Sequence, residues 1–164
     1  MLKGIAAPIA ACAFTKGGAP AGGAAALLDL KRRRVLSIQN AGEARGLLCP
    51  PGSTLKPLSL LALMDAGKLR SEDEFVCPGT LTLGGRRLNC SHPVSPLPMN
   101  ASRAIAYSCN CAVAHFALRF APGELAQTLT RDGLAAMTGL ADGPEAGGTV
   151  RIESGVQQQL QALG

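Results

Sequence analysis

The 164-residue chain has no tryptophan, one tyrosine and four phenylalanines. With so few rings, a core must be built from leucine and from the abundant alanine, 27 residues in all. The scarcity also counts against nucleic-acid binding. Bases stack on aromatic side chains, and none is interleaved with the only basic run, Lys31-Arg32-Arg33-Arg34. That run reads as a solvated turn between two apolar stretches, and the net charge of +5 as incidental. Charged residues are also few, at 16%, whereas 47% are apolar, enough to bury a core. No apolar run reaches the roughly 18 residues of a membrane-crossing helix. No repeat of about 20–50 residues is visible, which excludes a solenoid.

Cysteine is not scarce. Cys12, Cys49, Cys77, Cys90, Cys109 and Cys111 make an even set, compatible with an oxidising compartment. The first residues, Met1-Leu2-Lys3 followed by a small apolar stretch to Phe14, resemble a short secretory signal. Ile9-Ala10-Ala11-Cys12 resembles a bacterial lipoprotein cleavage box, in which Cys12 would carry a lipid tether to the membrane. The other reading is an arbitrary start inside a longer chain. Residues 15–23 are a linker by composition, so the expected organisation is a leader and linker over 1–23 and a domain over 24–164.

Residues 24–30 and 35–39 read as two strands joined by the basic turn, and 40–48 as loop. Cys49-Pro50-Pro51-Gly52 is a hard breaker. Residues 53–66 carry Leu55, Leu58, Leu61, Ala62 and Met64 close to helical spacing. Pro57 fits there because first-turn amides lack intrahelical partners. Residues 71–100 read as mostly loop with short strands. Helices are expected over 101–107, over 111–120 with Val113, Phe116, Ala117 and Phe120 on one face, and over 124–130. Residues 151–164 can begin another.

Ser53-Thr54-Leu55-Lys56 places a hydroxyl and an amine three residues apart at a helix start, where the two share a face. A serine hydroxyl needs a base to become a nucleophile. A lysine supplies one when burial lowers its pKa. The bland reading is a capping serine with a solvated lysine.

The flanking residues narrow the choice. Pro50-Pro51-Gly52-Ser53-Thr54-Leu55-Lys56-Pro57 resembles the active-site segment of penicillin-binding protein transpeptidases, and Ser108-Cys109-Asn110 resembles their Ser-x-Asn motif. Residues 25–37 look like the hairpin that opens that domain, and 77–92 like a loop of many class B members. The resemblance implies a partial α+β fold of the β-lactamase/transpeptidase type: an N-terminal β-hairpin, a mainly helical lobe and an incomplete sheet. It also implies peptidoglycan cross-linking by acyl transfer from a stem peptide, acylation by β-lactams, no cofactor, an extracytoplasmic location and cell-wall synthesis partners. Ser53 would be the nucleophile and Lys56 its base. Ser108 would relay a proton to the leaving amine, and Asn110 would hold Lys56 and the substrate amide.

Two features depart from the family pattern. Nothing after Asn110 matches the third motif, Lys-Thr-Gly, whose strand supplies part of the oxyanion hole. Losing one such donor costs about 100- to 1,000-fold. The expectation is therefore a truncated domain with little or no transpeptidase activity of its own. In addition, Arg32-Arg33 stands where relatives usually place glycine. The alternatives are a β-lactamase or β-lactam sensor, and a non-catalytic exported scaffold.

Cys77 and Cys90 bracket a glycine-containing loop. Their first reading is a disulfide, stabilising by roughly 3 kcal/mol. Unpaired thiols and a zinc site of Cys77, Cys90, His92 and Cys109 or Cys111 rank behind it. Cys111 and His115 read as structural.

Overall fold

The computed structural model describes residues 23–93, 97–139 and 143–164. The leader-like segment and Cys12 lie outside the described residues. The chain divides into two compact units, Met1–Leu48 with Met137–Ala146, and Cys49–Ala136 with Gly147–Gly164.

In the first unit, β1 (Ala25–Asp29) pairs antiparallel with β2 (Arg34–Gln39), the expected hairpin, with a register shift between Leu27 and Leu28. Asp29 organises the turn by accepting from Arg32 N at 3.0 Å and from its guanidinium at 2.9 Å. Arg33 takes the left-handed conformation (φ 49°) at the tip, a region where glycine would be relaxed. The segment expected as loop instead contains a six-residue helix, α1 (Ala41–Gly46). Asn40 starts it in the left-handed region, its Nδ2 donating to Gly23 O at 2.5 Å. No residue of α1 is buried, so no apolar period marked it.

The second unit carries the core. A 3₁₀ turn (Gly52–Leu55) runs into α2 (Lys56–Asp65), with Pro57 in its first turn as expected. The hairpin β3 (Thr80–Leu83) and β4 (Arg86–Asn89) turns through Gly84 and Gly85, both at positive φ, as a two-residue primed turn requires. Then come α3 (Ala101–Ala106), α4 (Asn110–Phe116) with a 3₁₀ extension (Ala117–Arg119), α5 (Glu124–Arg131) and α6 (Gly155–Gln161). Among the described residues no helix is long and apolar enough to cross a membrane.

Helix α2 lies against α3, α4 and α5, and α6 closes on α4. The face of α2 matches the expected stripe only in part. Leu55 and Ala62 of that stripe are buried, but Leu58, Leu61 and Met64 are exposed, and Lys56, Ser59, Leu60 and Leu63 complete the buried side. Two polar groups thus occupy the inward face, and each is satisfied there. Ser59 Oγ donates to the carbonyls of Leu55 and Ala162, at 3.3 and 3.0 Å. Gln159 Nε2 seals α6 onto α4 by donating to Ala114 O at 2.9 Å. Val113, Phe116, Ala117 and Phe120 are all buried, as their spacing predicts. Leu63 is fully buried at the centre of this cluster. Leu63→Ala should therefore cost about 2–5 kcal/mol, checked by the shift of the denaturant midpoint.

Candidate functional site

Lys56 opens α2 on its buried face and is 2% exposed. Its Nζ lies 2.9 Å from Ser108 O, 2.9 Å from Ser108 Oγ and 2.5 Å from Asn110 Oδ1. An ammonium has three N–H donors, so each finds an acceptor. The two carbonyl oxygens can only accept, whereas the Ser108 hydroxyl can also donate. A neutral amine is thus equally satisfied: two N–H groups serve the carbonyl oxygens and its lone pair accepts from Ser108 Oγ. Burial lowers the Lys56 pKa from its ordinary value, against the opposing pull of Cys109 and Cys90.

The conformation of Ser108 follows from how α3 ends. Ser108 N donates to Ile105 O at 3.0 Å and Cys109 N to Ala104 O at 2.9 Å, the paired bonds of a Schellman cap. That cap needs a left-handed residue, and Ser108 supplies it at φ 49° where glycine is usual. The cost is of order 1 kcal/mol or more. Cys109 then caps α4, its Sγ accepting from Ala112 N at 3.4 Å. Asn110 begins α4 and its Nδ2 donates to Asn89 O at 2.9 Å, tying the site to the end of β4. Ser53 lies exposed in the 3₁₀ turn, its carbonyl accepting from Lys56 N. Among the described residues no hydrogen bond engages its hydroxyl.

Beside this cage lies a thiol cluster. The Cys77 and Cys90 sulfurs are 3.7 Å apart and both thiols are free. A disulfide needs about 2.05 Å, so the expected bridge is absent. Cys109 Sγ lies 3.5 Å from Cys77 Sγ and 3.7 Å from Cys90 Sγ, and His92 Nε2 lies 3.7 Å from Cys77 Sγ. All four donor atoms fall within 4.8 Å of one another. Zinc with bonds of about 2.3 Å to sulfur spaces tetrahedral sulfurs about 3.8 Å apart, close to the separations seen. His92 Nδ1 is 2.8 Å from Pro93 O. That carbonyl only accepts, so Nδ1 is the donor of this contact, and the neutral ring then turns its Nε2 lone pair toward the sulfurs. Gly79 N donates to Cys77 Sγ at 3.3 Å from a left-handed conformation, φ 78°. Burial pushes the Cys90 thiol up, but hydrogen bonds from Cys111, Cys77 and Cys109 overcome it and hold it at about 7. Burial pushes Cys109 up to about 12.

A family model described as the penicillin binding protein transpeptidase domain matches residues 23–164. The chain belongs to the penicillin-binding protein transpeptidase family. Solved structures agree on the fold. A peptidoglycan glycosyltransferase from Burkholderia ambifaria is 19% identical with a TM-score of 0.75, over 86% of this chain and 46% of that one. A peptidoglycan synthetase from Bifidobacterium adolescentis is 16% identical, TM-score 0.71, over 86% and 29%. The transpeptidase domain of penicillin-binding protein 3 from Burkholderia pseudomallei is 20% identical, TM-score 0.68, over 80% and 41%. The chain spans less than half the length of each of these three. No curated protein matches it.

In this transpeptidase-family chain, Lys56, Ser108 and Asn110 come together through hydrogen bonds, with Ser53 three residues before Lys56. Sequence reasoning missed Asn89, because its contribution is a backbone carbonyl that leaves no side-chain signal. It also left open which of Cys109 and Cys111 joins the donor set. Cys109 does, and Cys111 lies beside it with its sulfur 3.4 Å from Cys90 Sγ. His115 stacks on Phe75, ring centroids 4.3 Å apart, consistent with the structural reading.

Proposed function

We propose that this chain carries the acylation centre of a peptidoglycan D,D-transpeptidase working outside the cytoplasm. Ser53 is the nucleophile, Lys56 the base, Ser108 the proton relay and Asn110 the anchor for Lys56 and for the stem-peptide amide. The supporting observation is the buried Lys56 amine, whose three partners tolerate both protonation states because one of them is a hydroxyl. Ser53 attacks an acyl carbonyl while its proton passes to Lys56, and Ser108 carries a proton onward to the leaving amine. The exposed Ser53 hydroxyl is open to a substrate or a β-lactam.

Prolonged incubation with a labelled penicillin, followed by mass spectrometry, tests the assignment. The expected product is a slow, stoichiometric adduct on the Ser53 peptide that Ser53→Ala abolishes. An adduct on another residue, or none after exhaustive incubation, refutes it. Rapid hydrolytic release of the bound drug would favour a β-lactamase instead.

A second reading concerns the thiol cluster. Cys77, Cys90, Cys109 and His92 form a three-sulfur, one-nitrogen set of tetrahedral size, and the Nδ1 contact of His92 leaves its other nitrogen free to ligate. We infer that this set holds a zinc-like divalent ion in a structural role.

A further inference from the structure

Resting on the metal reading, we propose that Cys111 makes the cluster redox-gated: Cys90 either serves as a metal ligand or is bonded to Cys111 as a disulfide. Cys111 lies outside the tetrahedral donor set, yet its sulfur stands 3.4 Å from Cys90 Sγ, nearer than any other thiol pair of the cluster given above. Cys90 has three thiols within reach, those of Cys77, Cys109 and Cys111. It is also half-buried, whereas Cys109 and Cys111 are fully buried. A disulfide oxidant from solvent therefore meets Cys90 and not Cys111.

The exchange has two steps. The Cys90 thiolate attacks one sulfur of the oxidant disulfide, forming a mixed disulfide and expelling the first oxidant thiolate. Cys111, losing its proton, then attacks the Cys90 sulfur and expels the second. The oxidant gains two electrons and two protons, and the chain loses them. The sulfurs close by about 1.4 Å to reach bonding distance. A disulfide sulfur no longer offers the thiolate that a metal requires, so bond and ion exclude each other. The site feels the difference because Cys109, which loses its ion when the bond forms, separates Ser108 from Asn110.

The test uses the reduced 164-residue chain, zinc-free or zinc-loaded, exposed to oxidised glutathione, alkylated and mapped without reduction. The expected result is a Cys90–Cys111 cross-link in the zinc-free chain. With free zinc at about 100 times its dissociation constant, roughly 1% of the chain is metal-free, so closure should slow about 100-fold. Zinc content of the reduced chain, read by elemental analysis, separates the two readings. A chain that binds zinc but cross-links another pair, or closes equally fast with and without zinc, overturns the gate. A chain that binds no zinc overturns the metal reading, and the exclusion with it. The wild-type cross-link map needs no variant, and Cys111→Ala should bind zinc as the wild type does while forming no cross-link to Cys90 from position 111.

Discussion

Lys56→Met should slow β-lactam acylation of Ser53 by about 100- to 10,000-fold, the span that a positioned base contributes. Methionine keeps the length and apolar stem of lysine but has no amine to take the Ser53 proton. It also leaves the fold largely intact. Lys56 is 2% exposed, and burying an ammonium carries a desolvation cost that an apolar side chain avoids. The loss is that Ser108 O, Ser108 Oγ and Asn110 Oδ1 no longer receive their donor. Far-ultraviolet circular dichroism should therefore be retained while the adduct disappears, and rapid acylation in this variant would remove Lys56 from the mechanism. The wild-type pH profile supplies the sign. Burial lowers the Lys56 pKa below its ordinary value, so its neutral form gains population at a lower pH than a solvated lysine. Acylation should rise with pH, with a midpoint below the usual lysine range. Between the folded and unfolded pKa values the unfolded chain binds more protons, so this group's contribution to stability also rises with pH.

Adding zinc to the reduced chain should raise its melting temperature. An ion that binds only the folded state stabilises it by about 2.7 kcal/mol at 100 times its dissociation constant. For a chain of this size that corresponds to roughly 5–10 °C. A bound ion would draw together the segment before β3, the segment after β4 and the α3–α4 connection, which supply Cys77, Cys90 with His92, and Cys109. Chelation should reverse the gain, and His92→Ala should remove most of it while leaving the zinc-free melting temperature nearly unchanged. Differential scanning fluorimetry with and without chelator reads all three. An unchanged melting temperature at saturating zinc would count against the site.

What could be read in the sequence was mostly local. The β1–β2 hairpin, Pro57 in a first turn and the burial of Val113, Phe116, Ala117 and Phe120 follow from residue type and spacing over a few positions. The Ser53–Lys56 and Ser108–Asn110 segments stood out because both motifs are contiguous. One local reading failed and one held only in part. Helix α1 buries nothing, so it carries no apolar period. Helix α2 forms where its spacing suggests, but it turns Lys56 and Ser59 inward, so Leu55 and Ala62 of its apolar set are buried while Leu58, Leu61 and Met64 are exposed. The cysteines needed the tertiary fold. Their even number suggested bridges, but Cys109 reaches Cys77 across 32 positions through packing that no spacing rule encodes.

Under the proposed assignment, Ser108 sets folding against chemistry at one backbone position. Glycine would take its φ of 49° without strain, but glycine has no hydroxyl to exchange a proton with Lys56. If Ser108 is the relay, foldedness alone would favour glycine at position 108 and the reaction would favour serine. A copy of this domain relieved of its chemical duty would thus be expected to lose that residue early, making position 108 a sensitive recorder of whether a lineage still uses the site.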